Sequence, residues 1–303
     1  MKSYRYLHLD VFTDHLFGGN QLAVMLDARG LAPDTMQAIA KEMNFSETTF
    51  VLPAERADTD CRVRIFTPGD ELPMAGHPTI GTAFALARAG AVGPSSSHVI
   101  FGLGVGPTDV ELSWNGGDLR FAWMTQLNPT FSPPIADRQG LAAALRLPAT
   151  ALSDRSPAQV VSCGVPYVLA SLATRRDVDQ ASLDVAAYEQ FRSGAGLGHE
   201  VCVYLFSTEP AADGATAYSR MFGPSIGIGE DPATGSAAGP LGCYLVHHGL
   251  VAAEKAGALL SRQGVKMGRP SDIHIAVASS GGAISQVRVG GEAVVVGEGT
   301  LYV

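Results

Sequence analysis

The chain has 303 residues, of which 46% are apolar and 17% charged, and its formal net charge is −8. This size and composition predict a compact protein large enough for two domains, and the negative charge argues against nucleic acid or an anionic membrane as a partner. No apolar run approaches the roughly 20 residues of a transmembrane helix. The N-terminal residues lack the pattern of a signal peptide, so we expect no membrane partner and a cytoplasmic location.

The first part of the chain predicts strands and two helices. Pro33 suits the first turn of a helix, apolar residues then recur at i, i+3, i+4 and i+7, and Asn44 is a suitable stop. Residues 78–89 are apolar on all sides, which is typical of a buried helix. Strands are predicted at residues 6–12, 23–26, 48–52 and 62–67, with more between 99 and 124.

The second part repeats this order. Residues 128–134 contain three prolines and polar residues and are interpreted as a linker. We therefore predict domains at 1–130 and 131–303, and we leave open whether the last strand packs back on the first domain. Pro240 should kink or break the second apolar helix. The predicted elements here are helices at 138–145 and 232–248 and strands at 160–163, 168–172 and 201–206.

One short motif occurs twice, as Arg-Ile-Phe-Thr-Pro at 64–68 and Arg-Met-Phe-Gly-Pro at 220–224. Each copy is followed by a polar residue, a proline and a run of small residues that leads into an apolar helix. The polar residues are His77 and Asp231. The two copies therefore predict two similar domains, and the exposed N-terminus of a helix favours an anion as ligand.

Four residues are candidates for chemistry. Asp231 and His77 offer an acid and an imidazole at related helix starts, although Asp is also a common N-cap and His can pack locally. Ser236 offers a hydroxyl donor, or it is an ordinary small residue of a helix start. Glu47 lies between two phenylalanines at a helix-to-strand junction. That partly apolar setting suits a carboxylate that takes and returns a proton, while a solvated turn is the alternative.

Metal and disulfide chemistry find little support in the sequence. The four cysteines are scattered, with no C-x-x-C pair and no histidine at ligand spacing. Isolated thiols of this kind are most simply small buried apolar residues. We therefore expect no metal site.

At these residues the chain resembles the PhzF-like family of phenazine biosynthesis, which has the fold of diaminopimelate epimerase. The resemblance runs nearly from end to end. The matching stretches are Phe-Gly-Gly-Asn at 17–20, Asn-Phe-Ser-Glu-Thr-Thr-Phe at 44–50, the motif at 64–68, Glu-Leu-Pro-Met-Ala-Gly-His-Pro at 71–78, Glu-Asp-Pro-Ala-Thr-Gly-Ser-Ala-Ala-Gly-Pro at 230–240, and Gly-Val-Lys-Met-Gly-Arg-Pro-Ser at 264–271.

The resemblance implies an α+β fold of two pseudo-symmetric domains, each a β-barrel-like sheet around a central helix, with the active site between them. It also implies a cofactor-independent isomerase that is a homodimer and acts on a small carboxylated substrate. The epimerase relatives use two facing cysteines. Here the corresponding positions hold Gly76, His77 and Asp231, which argues against racemisation by two thiols.

The family's isomerase moves a proton on trans-2,3-dihydro-3-hydroxyanthranilate with one glutamate. The resemblance assigns this role to Glu47. It assigns substrate orientation and assistance to proton transfer to His77 and Asp231. It also assigns substrate binding to four residues, which are Asn20, Gly76, Gly235 and Ser236.

Two other functions stay open at the level of the sequence. One is an amino-acid epimerase or racemase that uses Glu47 and Asp231 in place of thiols. The other is a non-catalytic protein that binds a small carboxylate. Gln21 stands where the family usually has proline, and this change leaves the substrate open.

Overall fold

The computed structural model describes all 303 residues, and contacts along the chain group them into two units. The sequence-based division at residue 130 left open whether the last strand packs back on the first domain. In the structure two later segments group with the first unit. Unit 1 comprises residues 1–126, 268–272 and 288–303, and unit 2 comprises residues 127–267 and 273–287.

Eighteen strands and six α-helices make up the chain. Up to residue 126 they are β1 (Ser3–Val11), β2 (Asn20–Met25), α1 (Pro33–Met43), β3 (Glu47–Pro53), β4 (Cys61–Phe66), β5 (Glu71–Leu72), α2 (Gly76–Arg88), β6 (His98–Leu103), β7 (Gly106–Asn115) and β8 (Asp118–Gln126). After it they are β9 (Thr130–Pro134), α3 (Arg138–Ala144), β10 (Gln159–Ser162), β11 (Pro166–Ser171), α4 (Arg175–Gln180), α5 (Val185–Gly194), β12 (Cys202–Ser207), β13 (Ala217–Gly223), β14 (Ile228–Asp231), α6 (Gly235–His247), β15 (Leu259–Gln263), β16 (Ser271–Ser280), β17 (Ala283–Gly291) and β18 (Ala293–Tyr302).

Strand pairing follows the same order in both units. In unit 1, β1 and β2 are antiparallel, β2 and β3 parallel, β3 and β4 antiparallel, and β4 lies parallel to β6. In unit 2, β10 to β13 repeat this alternation, and β13 lies parallel to β15. The repeat predicted from the sequence motif is therefore a repeat of topology. In unit 1, β18 also pairs antiparallel with β1.

Each unit contains one helix that is buried on nearly every side. In α2 the residues from Gly76 to Leu86 are buried, and in α6 those from Gly235 to Leu245. Both helices approach a sheet closely at a glycine. A Cβ on Gly81 would lie 2.5 Å from a Leu22 methyl, and a Cβ on Gly242 would lie 2.5 Å from an Ile275 methyl. Apolar residues on all helix faces are needed here because protein surrounds the helix on all sides.

Helix α1 shows why the local sequence signals predicted its ends correctly. Pro33 occupies the first turn, and Asn44 caps the C-terminus in the left-handed conformation with φ of 54°. Asn tolerates this conformation better than most residues, so it ends a helix well. Met36, Ile39 and Ala40 form the buried face, as the spacing predicts.

Two sequence-based predictions about the second part are wrong, and one alternative of a third is excluded. The segment at 128–134 contains strand β9, which pairs with β10 (Phe131 with Val161, for example). Its prolines come at the end of this short strand, where a missing N–H is tolerated. The second buried helix begins at Gly235, later than the predicted residue 232, because the chain before it ends strand β14. Pro240 lies inside α6 without breaking it.

The repeated motif has a structural role in both units. Arg64 binds Glu71 through two hydrogen bonds of 2.7 and 2.6 Å, and Arg220 binds Glu230 through two of 2.7 and 2.8 Å. Such fork-to-fork pairs fix geometry as well as charge. The arginine of each copy therefore joins the motif strand to the segment just before the central helix.

The second copy is more deeply engaged than the first. Nη1 of Arg220 also donates to the carbonyl oxygens of Val178 at 2.9 Å and Ala181 at 2.7 Å. Its side chain is 9% exposed, against 18% for Arg64. Because a buried guanidinium needs partners for all its donors, these carbonyls complete the arginine site.

None of the six α-helices has the length and apolar character that a bilayer crossing needs.

Candidate active site

The predicted site residues form two sets, one in each unit. In unit 1, Glu47 is the first residue of β3 and His77 the second residue of α2. Their side chains meet in the protein interior, with Glu47 Oε2 3.2 Å from His77 Nε2. The side chain of His77 is 3% exposed and that of Glu47 9%. The structure thus joins two residues that lie 30 positions apart in sequence.

Burial keeps the imidazole neutral. Desolvation lowers the pKa of His77 to about 3, against the opposing effect of a hydrogen bond with the Gln21 backbone. The 3.2 Å contact with Glu47 satisfies the distance of an ion pair, but His77 Nε2 is not aligned in a hydrogen bond. The pair is therefore a carboxyl group beside a neutral imidazole, because desolvation is the largest effect on the pKa of His77.

Asn20, predicted to bind substrate, lies against His77. Its side-chain nitrogen is 3.2 Å from His77 Nδ1, and the residue is 1% exposed. The start of β2 thus holds the Nδ1 edge of the ring through the Asn20 side chain, and the Gln21 backbone also binds the ring. With that edge fixed, the other ring nitrogen is directed at Glu47.

The turn before Asn20 is held by a residue far away in sequence. Nη2 of Arg269 donates to Asp10 Oδ1 and to the carbonyl oxygen of Gly18, both at 2.5 Å, and its Nε donates to the carbonyl oxygen of Gly19 at 2.8 Å. Gly19 has φ of +58°, and a Cβ there would lie 2.3 Å from the carbonyl oxygen of Val11. The glycine is therefore required for the tight turn that places Asn20.

In unit 2, Asp231 does not occupy the position expected for a helix N-cap. It is the last residue of β14, pairs with Met221, and lies four residues before the first residue of α6. Thr234 Oγ1 donates to its Oδ2 at 2.5 Å, and Asp231 is 4% exposed. Because the strand pairing keeps the chain extended at this point, the helix cannot begin earlier.

The other predicted residues of unit 2 lie at the start of α6. Gly235 and Ser236 are its first two residues, and both are buried. Ser236 Oγ lies 2.7 Å from the hydroxyl of Tyr167. In unit 1, Gly76 is the corresponding first residue of α2. The first residues of a helix direct backbone N–H groups beyond its end, which suits an anionic ligand only together with other polar groups.

Sequence reasoning did not find the residues that hold these groups. Arg269 was noted only as part of a matching stretch, and Tyr167 and Thr234 were given no role. No local sequence pattern identifies these residues. Their hydrogen-bond partners lie on other elements, or the hydrogen bond depends on a single side-chain rotamer. A helix-start motif predicts where a chain turns, but it does not predict which distant side chain fixes it.

The cysteines do not provide a base in either unit. Burial raises the pKa of the Cys61 and Cys202 thiols to about 12. Cys163 and Cys243 lie with their sulfurs 3.9 Å apart, and this contact together with burial raises the pKa of the Cys163 thiol. The thiols of Cys61, Cys163 and Cys202 are therefore protonated at neutral pH. Cys163, Cys202 and Cys243 fit the interpretation as small buried side chains, and Cys61 is half-buried. The structure contains no group of three or more His, Cys, Asp or Glu side chains placed to hold a metal ion.

Comparison with solved structures defines the class of protein. The chain superimposes on a PhzF-family phenazine biosynthesis protein from Bacillus anthracis with a TM-score of 0.87 and 26% identity, covering 100% of both chains. A hydroxyproline epimerase from Agrobacterium vitis shares the fold alone, with a TM-score of 0.67 and 13% identity over 99% of this chain and 92% of the other. The predicted α+β, epimerase-like fold is confirmed.

Sequence comparison gives the family. The model of the phenazine biosynthesis-like proteins, PhzC-PhzF, matches residues 9–299, and the chain belongs to this family. An uncharacterised isomerase of Mesorhizobium japonicum is 36% identical over 100% of both chains. The trans-2,3-dihydro-3-hydroxyanthranilate isomerase of Pseudomonas fluorescens is 35% identical over 98% of this chain and 99% of its own. The predicted enzyme class is confirmed: the protein is an isomerase.

Proposed function

We propose that the protein moves a proton on a small carboxylated ring, in the manner of a trans-2,3-dihydro-3-hydroxyanthranilate isomerase, with Glu47 as base and then as acid. The observation that carries this proposal is the buried contact between Glu47 and a neutral imidazole. A carboxylate in such a setting keeps the proton it removes away from bulk water and can return it.

The reaction balances without any other reactant. Glu47 takes a proton from one ring carbon, the electron pair moves through the conjugated system, and the same carboxyl group protonates a second carbon. His77 can donate one hydrogen bond and accept one while it stays uncharged. Its Nδ1 faces the Asn20 amide and its Nε2 faces Glu47, so the ring stays beside the carboxyl group in both protonation states without adding a buried charge.

The remaining predicted residues receive supporting roles in this proposal. Gly76, Gly235 and Ser236 are assigned to the substrate carboxylate, through backbone N–H groups and the serine hydroxyl. Asp231 is assigned to orientation of the substrate and to proton transfer. Asn20 holds His77.

The decisive experiment is turnover of trans-2,3-dihydro-3-hydroxyanthranilate in heavy water by the wild type and by Glu47→Gln. We expect kcat of the variant to fall about 10²–10⁴-fold, because a general acid–base group contributes on this order. Because Glu47 keeps the removed proton away from bulk water, we expect the wild-type product to contain little deuterium, and any deuterium that enters marks the ring carbon that is reprotonated.

Glu42→Gln is the matched control, since Glu42 is an exposed carboxylate on α1 of the same unit. It should retain wild-type turnover. Wild-type kcat in Glu47→Gln would refute the role of Glu47. Absence of turnover in the wild type would refute the proposed substrate.

A further inference from the structure

The turn between β14 and α6 is organised by one buried amide, that of Gln263. This residue ends β15, is fully buried, and lies 32 positions after Asp231 in the sequence. Its Nε2 donates to the carbonyl oxygen of Asp231 at 2.7 Å and to Thr234 Oγ1 at 2.9 Å. Its Oε1 accepts from the backbone N–H of Thr234 at 3.1 Å and from the hydroxyl of Tyr204 at 3.1 Å.

These partners fix the direction of the hydrogen bonds that Gln263 makes at the turn. A backbone carbonyl can only accept and a backbone N–H can only donate, so the Gln263 amide has one permitted orientation. Both of its protons and both oxygen lone pairs are then used. Thr234 Oγ1 accepts from Gln263, and its own proton is therefore directed to Asp231 Oδ2 at 2.5 Å.

This relay of hydrogen bonds, from Gln263 through Thr234 to Asp231, is anchored in the core of unit 2. Tyr204 is fully buried, and its hydroxyl also contacts Ser219 Oγ at 2.8 Å and Ser261 Oγ at 3.2 Å. Ser261 can donate to the Tyr204 hydroxyl, whose own proton is directed toward Gln263 Oε1 and Ser219 Oγ. A polar network that is satisfied in this way is rigid, since any rotation leaves a buried group unpaired.

We infer that Gln263 is a positioning residue for the reaction, which through Thr234 sets the orientation of the Asp231 carboxylate. One amide thus fixes both the main chain of Asp231 and, by way of Thr234, one of its carboxylate oxygens. The role assigned to Asp231 rests on the proposed function, whereas the geometry of the relay does not. Misplacing a reacting group by about 1 Å can cost on the order of 100-fold in rate.

Two substitutions remove the relay at different points. Thr234→Val keeps the shape of the side chain and removes the hydroxyl, and Gln263→Met removes the amide. We expect each to lower kcat about 10–100-fold with KM changed less than about threefold. Thr234→Ser restores the hydroxyl and should recover kcat to within about threefold of the wild type.

Gln159→Met is the matched control for loss of a buried glutamine. Gln159 is 5% exposed and binds the backbone of Ser132 and the ring of His248, just beyond the last residue of α6, whereas Gln263 acts just before the first. It should leave kcat unchanged. If Gln159→Met lowered kcat as much as Gln263→Met does, loss of stability would explain both results and the inference would be overturned.

A double-mutant cycle separates positioning from a general structural effect. If Thr234 acts through Asp231, then Thr234→Val in the background of Asp231→Asn should cost less than about twofold further in kcat. Equal losses in the two backgrounds would overturn the inference. If the wild type does not turn over the proposed substrate, the proposed function has failed. Crystal structures then test the role of Gln263 without a kinetic measurement. Asp231 should leave its wild-type rotamer in Thr234→Val, and an unchanged rotamer would refute the relay.

Discussion

The two central helices start from the same scaffold but present different chemistry. At the start of α2, a histidine inside the first turn meets a glutamate from the neighbouring strand β3. At the start of α6, the titratable group is an aspartate that ends a strand before the helix, and a threonine hydroxyl binds it. The repeat therefore preserves topology, while the reactive groups come from positions that the two copies do not share.

The arginines of the repeated motif also differ between the two units, in how deeply they are buried. We expect Arg220→Met to lower the free energy of unfolding by about 3–5 kcal/mol, because it leaves a half-buried carboxylate and two backbone carbonyls without their donor. Arg64→Met should cost about 1 kcal/mol, because the partner Glu71 is 37% exposed. Urea unfolding measures both. Equal losses would show that the deeper burial of Arg220 has no energetic consequence.

The pH dependence of stability tests whether the imidazole of unit 1 is neutral. The pKa of His77 falls from the ordinary 6.5 to about 3 in the folded state, so below pH 6.5 the unfolded chain binds a proton that the folded chain does not. Stability due to this group is complete above pH 6.5 and declines as the pH falls toward 3. At pH 5 the deficit is about 2 kcal/mol.

The measurement compares urea unfolding of the wild type and His77→Gln at pH 7 and pH 5. The variant should lose about 2 kcal/mol less than the wild type over this interval, and His199→Gln, at a side chain 79% exposed, should behave as the wild type does. Identical pH slopes in the wild type and His77→Gln would show that His77 takes up a proton as readily in the folded protein as in the unfolded chain, and would contradict a neutral imidazole.

The close approach of each central helix to its sheet should be equally sensitive in both units. Gly242→Ala brings a methyl within 2.5 Å of Ile275 and 3.1 Å of Val277, and Gly81→Ala brings one within 2.7 Å of Val11. We expect each to lower the free energy of unfolding by about 1–3 kcal/mol, since overpacking outweighs the helix propensity of alanine.

Gly194→Ala is the control for that comparison, because a Cβ at this helical position meets nothing within 4 Å. It should leave the protein as stable as the wild type or more stable by up to about 1 kcal/mol. If only one of the two core variants is destabilised, the helices are not equivalent in packing.

The smallest expected effect concerns the hydroxyl at the start of α6. Tyr167→Phe removes the partner that holds Ser236 Oγ at 2.7 Å. If Ser236 binds the substrate carboxylate, KM should rise about 3–10-fold with little change in kcat. This rise in KM corresponds to about the free energy of one hydrogen bond. Asn20→Leu, the corresponding loss beside His77, should act on kcat instead. Steady-state kinetics of the two variants would contradict this division if both changed the same constant.

Much of the fold could be predicted because its signals are local. Pro33 and Asn44 set the two ends of α1 through the φ preferences of single residues. Apolar residues on all sides indicated that α2 and α6 are buried. The prediction failed where pairing with a distant strand outweighed local preference. Residues 130–134 form a strand because β10 lies beside them, and Asp231 stays extended because it pairs with β13.

The sequence by itself determined the repeat, the two buried helices and the residue types for acid–base chemistry. Tertiary structure alone decided that Glu47 meets a neutral His77, that Asn20 binds the imidazole, and that Gln263 directs Thr234 toward Asp231. The physical reason is that propensity and hydrophobic period act over a few neighbouring residues. Charge state and hydrogen-bond direction instead depend on burial and on partners tens of residues away.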